Sequence, residues 1–285
     1  MNNITVNAVL AGASRGWEEY RQSFSNSQDL FNYFGTSGVF LVVAFLLQDS
    51  TVEGAEVSVG AMIIASAIGF LVAMGGIITV AQILATERED GTLLRAKALP
   101  KGMVGYFVGK AVHVLLVTAT NTAIVLFPPF LLIDGFAFGT QGDWFTFAWV
   151  LLLGITATVP IGAVLGSLIK SPRSTMGLLM IPVMGLTMIS GIFFQFSAVH
   201  EWAQWIAQVF PLYWVGLGMR SVFLPDAMLA VEIGESWRHL ETAGVLGLWT
   251  VVGLVVAPIL LRRAAQRESG SRMAEAREKA MQSTV

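Results

Sequence analysis

The chain has 285 residues, of which 55% are hydrophobic and only 13% charged, against roughly a quarter charged in ordinary soluble domains. With 29 Gly, 18 Phe, 12 Met and 8 Trp and a mean hydropathy of +0.69, the apolar residues exceed what one core takes up; many must face lipid, which excludes a water-soluble globule. The net charge of −2 with scattered Lys and Arg leaves no nucleic-acid-binding face, zero Cys removes disulfides, thiolate metal sites and cysteine nucleophiles, and 3 His are too few for a His-rich metal site.

Ahead of the first apolar run, Trp17, Tyr20, Phe24, Phe31 and Phe34 form an aromatic stripe, with Glu18, Glu19, Arg21 and Gln22 off it. This spacing predicts an amphipathic helix over about 14–30, lying on the inner leaflet or packed on the protein's own spans. The segment is too long and too acidic for the leading part of a cleaved signal peptide, so the apolar run that follows is read as a permanent span.

A spanning helix needs about 20 mostly apolar residues. Six stretches qualify, over about 32–47, 57–84, 103–130, 144–169, 175–196 and 243–261. Pro128-Pro129 closes the third and Pro182 lies inside the fifth. Lipid demands that every backbone polar group be satisfied internally and the alternation of barrel strands is absent, so the expected fold is an all-α integral membrane protein, one transmembrane domain over 1–285.

Short basic loops stay in the cytoplasm. With the N-terminus inside, all of the 17 Lys and Arg except Arg220 and Arg238 fall on the cytoplasmic side, while acidic residues dominate the outer loops. Both termini are therefore expected in the cytoplasm, with Trp144, Trp149, Trp202, Trp205, Trp214 and Trp237 near the outer interface.

Between spans two and three, the stretch 86–98 is the most charged in the chain, and Gly91 permits a backbone break before the apolar Leu93 and Leu94. It suits either a short helix docking into another protein or a solvated loop. The segment 197–241 is unusually apolar for a loop: Trp202, Trp205, Ile206, Val209 and Phe210 share one helical face before Pro211 breaks it, and a second short helix follows. Such helices dip into the outer leaflet, roof a cavity or simply pack. The tail over 262–285 is polar, a frayed cytoplasmic helix or a disordered end.

The missing chemistry is equally informative. No Asp, Glu or Arg falls within the six spans, leaving Lys110 and His113 as the candidates for a proton relay. No phosphate-binding GxxxxGK[ST] loop exists, so any nucleotide-driven step must come from a partner. His113, His200 and His239 lack acidic partners at metal-ligand spacing, and Asp134 with Asp143 reads as a solvated connection rather than an acid/base pair. No catalytic or metal residue is assigned, and an enzyme is not expected.

The run Glu87-Arg88-Glu89-Asp90-Gly91-Thr92-Leu93-Leu94 at the end of span two resembles the E-R-E-x-G-T-x-x motif of ABC type-2 permeases, the membrane subunits of ATP-binding-cassette exporters of drugs, lipids and polysaccharides. Ser190-Gly191-Ile192-Phe193-Phe194 closing span five and the external Pro211-Leu212-Tyr213-Trp214 with Arg220 extend the resemblance, whereas Gln195-Phe196 stands where such proteins often place a proline. The resemblance implies two permease copies, as a homodimer or paired with a similar protein, on two ATPase subunits that hold the ATP and Mg; this chain would bind no cofactor of its own. Glu87, Arg88, Glu89, Gly91, Thr92, Leu93 and Leu94 would couple to the ATPase. Thr79, Gln82, Met180, Met184, Thr187, Met188, Phe193 and Phe194 would line a substrate path suited to hydrophobic or amphipathic cargo, although such residues also pack helices everywhere in membranes. Trp202, Trp205, Pro211 and Trp214 would form an external gate. The location implied is the plasma membrane. Export of a lipid-linked saccharide, and a non-transporting scaffold or immunity protein, are the alternatives.

Overall fold

The computed structural model of the protein describes residues 3–132, 139–169, 172–192 and 200–282. α1 spans Asn3–Ser23 and α2 spans Ser27–Leu46. The helix expected over 14–30 therefore starts earlier and stops sooner. Its end is set by Asn26, whose side chain accepts a hydrogen bond from the Gln28 backbone N–H at 3.0 Å and so opens a new helix that carries on into the first span.

Ser58 starts the next helix in the same way, accepting from Ala61 N–H at 3.4 Å. α3 (Val59–Met74), a π-helical turn (Gly75–Thr79) and α4 (Val80–Glu89) follow without a break, forming one rod longer than the predicted 57–84. Gly91 at φ +73° then turns the chain into the short α5 (Thr92–Ala98). α6 spans Gly102–Leu126 and is followed by the single turn α7 (Pro129–Leu132), because Pro128 and Pro129 offer no N–H to continue the ladder. α8 spans Gln141–Leu168 and begins with a capping box: the Asp143 carboxylate accepts from the Thr140 N–H at 2.6 Å, which gives Asp143 a structural role. Asp134 lies outside the described residues.

α9 (Pro172–Ile189), α10 (Glu201–Val209), α11 (Pro211–Phe223), two 3-10 turns (Asp226–Val231 and Ile233–Glu235) and α12 (His239–Gln282) complete the order. Among the described residues there is no strand, only an isolated bridge between Thr51 and Ser58. Five helices, Ser27–Leu46, Val59–Glu89, Gly102–Leu132, Gln141–Leu168 and His239–Leu260, are long and apolar enough to cross a membrane. The fifth expected span corresponds to α9, whose apolar segment Gly177–Ile189 is shorter.

The α3–α4 rod is the axis of the bundle: Ile64, Ala65, Ile68, Val72, Ala73 and Ala81 are fully enclosed. α2 and α12 lie at the periphery, with Val39, Val42, Phe45, Leu248, Leu254 and Val255 exposed, the apolar exterior that lipid rather than water must cover.

α11 is buried along nearly its whole length, and Leu212 near its start joins the cluster of Ala73, Ile77 and Ile78, midway along the rod. α10 and α11 thus form a re-entrant hairpin. Its tip is viable in an apolar setting because the Trp214 indole N–H donates to the Gln208 carbonyl at 2.7 Å and the Trp249 indole N–H to the Val209 carbonyl at 2.8 Å. These are carbonyls that the end of α10 would otherwise leave unpaired.

Candidate functional site

The residues of the E-R-E run are drawn into the bundle by both neighbours of α4. Glu87 receives the Lys110 ammonium of α6 at 2.6 Å, and the same ammonium lies 2.6 Å from Glu19 of α1. Arg15 completes the cluster, 2.8 Å from Glu19 and 4.0 Å from Glu87. Two acids and two bases close on one another at the junction of three helices. Burial opposes the Glu19 charge, but the hydrogen bonds and charges of Lys110 and Arg15 outweigh it and hold its carboxyl below the usual range.

Arg88 faces the other way. Its guanidinium donates to the carbonyls of Ser167 at 2.7 Å, Ile169 at 3.3 Å and Gly166 at 3.4 Å, satisfying the free end of α8 and complementing the negative pole of that helix. Glu89 and Asp90 are exposed. Past Gly91, Leu93 is buried against a cluster with Leu84, Tyr106 and Val114, and Arg95 braces the turn by donating to the Asp90 carbonyl at 3.2 Å. Thr92 is half-buried; the Leu94 side chain lies outside the described residues. A groove of about 550 Å³ opens between α1, α5 and the start of α6, lined by Ala8, Arg15, Thr92, Arg95, Leu99 and Tyr106. A second, of about 430 Å³, is lined by Gln82, Ile83, Thr86 and Glu87.

The residues expected to line a path divide. Thr79 ends the π-helical turn, a feature that often marks functional positions, and Gln82 lies half-buried one turn nearer Glu87. Met180 and Met188 are exposed on α9 and Met184 is half-buried, whereas Thr187 is enclosed with its hydroxyl donating to the Val183 carbonyl at 2.7 Å. Phe193 and Phe194 lie outside the described residues. The residues expected to form a gate also separate: Trp202 and Trp205 face outward from α10, Trp205 at 74% exposure, while Pro211 and Trp214 are buried in the hairpin.

Four features escaped the sequence reading. Lys110, a relay candidate by position, is instead the shared partner of Glu19 and Glu87; His113 keeps a buried Nδ1 with no hydrogen-bond partner. Gly12-x-x-x-Gly16 of α1 packs on Gly105-x-x-x-Gly109 of α6, so close that a Cβ on Gly12 or Gly16 would overlap the carbonyl oxygen of Gly105 or Gly109. That G-x-x-x-G spacing was readable as a helix-packing signal. Arg220 and Glu232, assigned to an external segment, form an almost fully buried pair, Nε to Oε1 at 2.6 Å and Nη2 to Oε2 at 3.3 Å, and Arg220 Nη1 donates to the Gly191 carbonyl at 3.1 Å. No short-range pattern marks residues twelve apart. The fourth, the Trp249 bond to Val209, spans forty positions.

A search of curated proteins finds no match to this chain. A family model described as ABC-2 family transporter protein matches residues 22–259, which takes in the E-R-E run, the axial rod, the re-entrant hairpin, four of the long apolar helices and all but the last residue of the fifth. The chain is a multi-pass membrane protein, and it belongs to the ABC-2 transporter family.

Proposed function

We propose that the chain is the membrane permease subunit of an ATP-binding-cassette exporter, moving a hydrophobic or amphipathic small molecule or a lipid outward on energy supplied by separate ATPase subunits. The chain itself catalyses nothing, and ATP and Mg reside on the partner. The observation that carries this reading is the Glu87–Leu93 stretch: α4 ends in exposed acids, turns at Gly91 and presents a short helix, while Glu87 and Arg88 tie that turn to α1, α6 and α8. A push on α5 has routes into three other helices. The Glu87 end and both termini face the cytoplasm, and the membrane is the plasma membrane.

The apolar character of α9 supports both the cargo class and a second permease copy. Leu178, Ile181 and Met188 are exposed, and a Cβ placed on Gly177 or Gly185 would meet nothing within 4 Å, leaving the face over 177–188 open to another apolar surface. With a partner copy across this face, Met180, Met184 and Met188 would line an adaptable path, and the six-span count is completed by α9. Two copies, each with one ATPase, form the transporter.

The test is purification of the C-terminally tagged chain from native membranes in mild detergent, identification of co-purifying chains, and measurement of vanadate-sensitive ATP hydrolysis. One ATPase per permease, with hydrolysis uncoupled from transport in the double variant Glu87→Ala, Arg88→Ala, supports the reading. Recovery of the protein alone, without hydrolysis under several solubilisation conditions, overturns it in favour of a scaffold. Preferential binding of a glycolipid over hydrophobic drugs would move the cargo to lipid-linked saccharides.

A further inference from the structure

We propose that Lys110 is a positioning residue that fastens α1 to the coupling end of α4, so that α1 moves with the E-R-E turn as the output arm of the transport stroke. The inference rests on the permease reading and names the part of the chain that the stroke must carry. α1 lies almost wholly ahead of the residues that match the family model, and its attachment is made by this chain's own contacts.

Two sets of contacts carry it. The first is steric. Gly12 and Gly16 bring the backbone of α1 against the backbone of α6 at Gly105 and Gly109, and the two helices run parallel there, since the contacts advance together along both. Further along, the Tyr20 hydroxyl meets the Thr120 hydroxyl at 2.7 Å. Backbone contact over two helical turns leaves no side-chain layer to slide, so α1 and the first part of α6 behave as one body.

The second set is electrostatic and joins that body to α4. The Lys110 ammonium bridges Glu19 and Glu87 at 2.6 Å each, and all three side chains are mostly shielded from solvent. Both carboxylates point at one cation, with Arg15 at the edge. Removing the ammonium therefore does more than delete two ion pairs: it leaves two carboxylates facing each other in a partly desolvated junction, which drives α1 and α4 apart. Glu87 serves the same cluster from within the coupling run, so displacement of that run is transmitted to α1 through Lys110.

The outward side of α1 is amphipathic: Ile4, Leu10 and Trp17 are exposed beside Ser14, Arg15, Glu18 and Arg21. At its end α1 is tied to α2 by the Ser23–Tyr33 hydroxyl contact at 2.7 Å and by Phe24 stacked on Tyr33, so it shifts as an arm hinged at that end.

The absence of cysteine makes the test clean. Labels are placed in pairs on introduced cysteines at exposed positions, Ser14 with Thr86 across the junction and Ser14 with Gln141 at the far end of α8. Distances are measured in the purified permease–ATPase complex with ATP and vanadate, and without nucleotide. In the unmutated complex the Ser14–Thr86 distance is expected to stay constant while the Ser14–Gln141 distance changes. In Lys110→Met, and more weakly in Glu19→Gln, the Ser14–Thr86 distance is expected to open and the Ser14–Gln141 response to vanish, with ATP hydrolysis retained; Lys110→Arg restores both. An unchanged Ser14–Gln141 response in both Lys110→Met and Glu19→Gln overturns the inference while leaving the permease reading intact. A complex in which no labelled distance responds to vanadate, or a chain that recruits no ATPase, overturns the permease reading and this inference with it.

Discussion

The Arg88 guanidinium lies 2.7 Å from the Ser167 carbonyl, so the basic residue of the E-R-E run closes the end of a helix seventy-nine positions further along the chain. Three carbonyls at the end of α8 share it, and α8 carries the Gly154–Thr158 segment that packs on the axial rod. Arg88 is thus a mechanical joint between α4 and α8. Arg88→Ala leaves those carbonyls without their donor and is expected to cost about 1–3 kcal/mol, the range for a buried acceptor left unsatisfied. Arg88→Lys keeps the charge at the helix end but loses the fork and is expected to fall between. Thermal unfolding in detergent reads the stability, and vanadate-sensitive hydrolysis reads the coupling.

Packing of α1 on α6 depends on the absence of side chains. Gly16→Leu or Gly109→Leu pushes the helices apart and is expected to expose α1 to protease while the rest of the bundle stays membrane-embedded. Gly38→Leu is the control: nothing lies within 4 Å of that position on α2, and the variant should behave as the parent. Equal protease patterns for all three would remove the close contact from the account.

Much of this was legible in the sequence, and what was not has a physical pattern. Apolar runs of the right length mark the rods of the bundle because lipid imposes both composition and length. Gly91 and the charges around it mark the turn after α4 for similarly local reasons. Boundaries set by a single cap, such as Asn26 dividing α1 from α2, were missed because one hydrogen bond decides them against an aromatic stripe that continues past it. The ion cluster of Arg15, Glu19, Glu87 and Lys110 was illegible, since four charged residues on three helices become neighbours only after the helices pack. The aromatic pattern of α10 was read correctly as one face, but Trp202 and Trp205 look outward while Trp214 is enclosed, a division that depends on which side of the hairpin meets the bundle.

Trp249 holds the tip of that hairpin. Its indole donates to the Val209 carbonyl at 2.8 Å and its ring stacks on Phe210 at a centroid separation of 6.1 Å. Trp249→Phe keeps the stacking and removes the donor from the Val209 carbonyl, for an expected loss of about 1 kcal/mol, rising toward about 3 kcal/mol where lipid rather than water covers that carbonyl. Trp249→Leu removes both and should cost more. A thermal-shift series in one detergent distinguishes the two contributions.

Glu19 makes the attachment of α1 acid-sensitive. Burial raises its pKa, the Lys110 and Arg15 hydrogen bonds and charges lower it, and the net position is below the ordinary value of 4.5. A carboxyl with a depressed folded pKa stabilises the folded state above its unfolded value and loses that contribution as pH falls through the folded one. The α1 contact is therefore expected to be intact at neutral pH and to weaken only below about pH 4.5, toward the depressed value. Glu19→Gln should show weak attachment at every pH and no such transition. Protease sensitivity of α1 across a pH series checks both, and an acid transition that persists in Glu19→Gln assigns it to another group.

Arg220 and Glu232 form an almost fully buried ion pair well away from the cluster at the end of α4. Arg220 is 1% exposed and Glu232 7%, and the guanidinium engages both carboxylate oxygens and the carbonyl of Gly191, just past the end of α9. α9, α11 and the turn bearing Glu232 are thereby joined at one point. Removing one partner leaves an uncompensated charge in an apolar setting, so Glu232→Ala and Arg220→Ala are each expected to cost about 3–5 kcal/mol. Removing both with apolar residues of similar volume, Arg220→Met with Glu232→Leu, avoids the orphaned charge and is expected to be milder than either single change. If thermal unfolding finds the losses additive instead, the two residues act independently and the pair is not the clamp between α9 and α11. If the double variant is stable and its complex with the proposed ATPase hydrolyses ATP without transport, the pair's contribution lies in holding the end of α9 where the proposed transport cycle needs it, because stability has then been restored while the Gly191 contact has not.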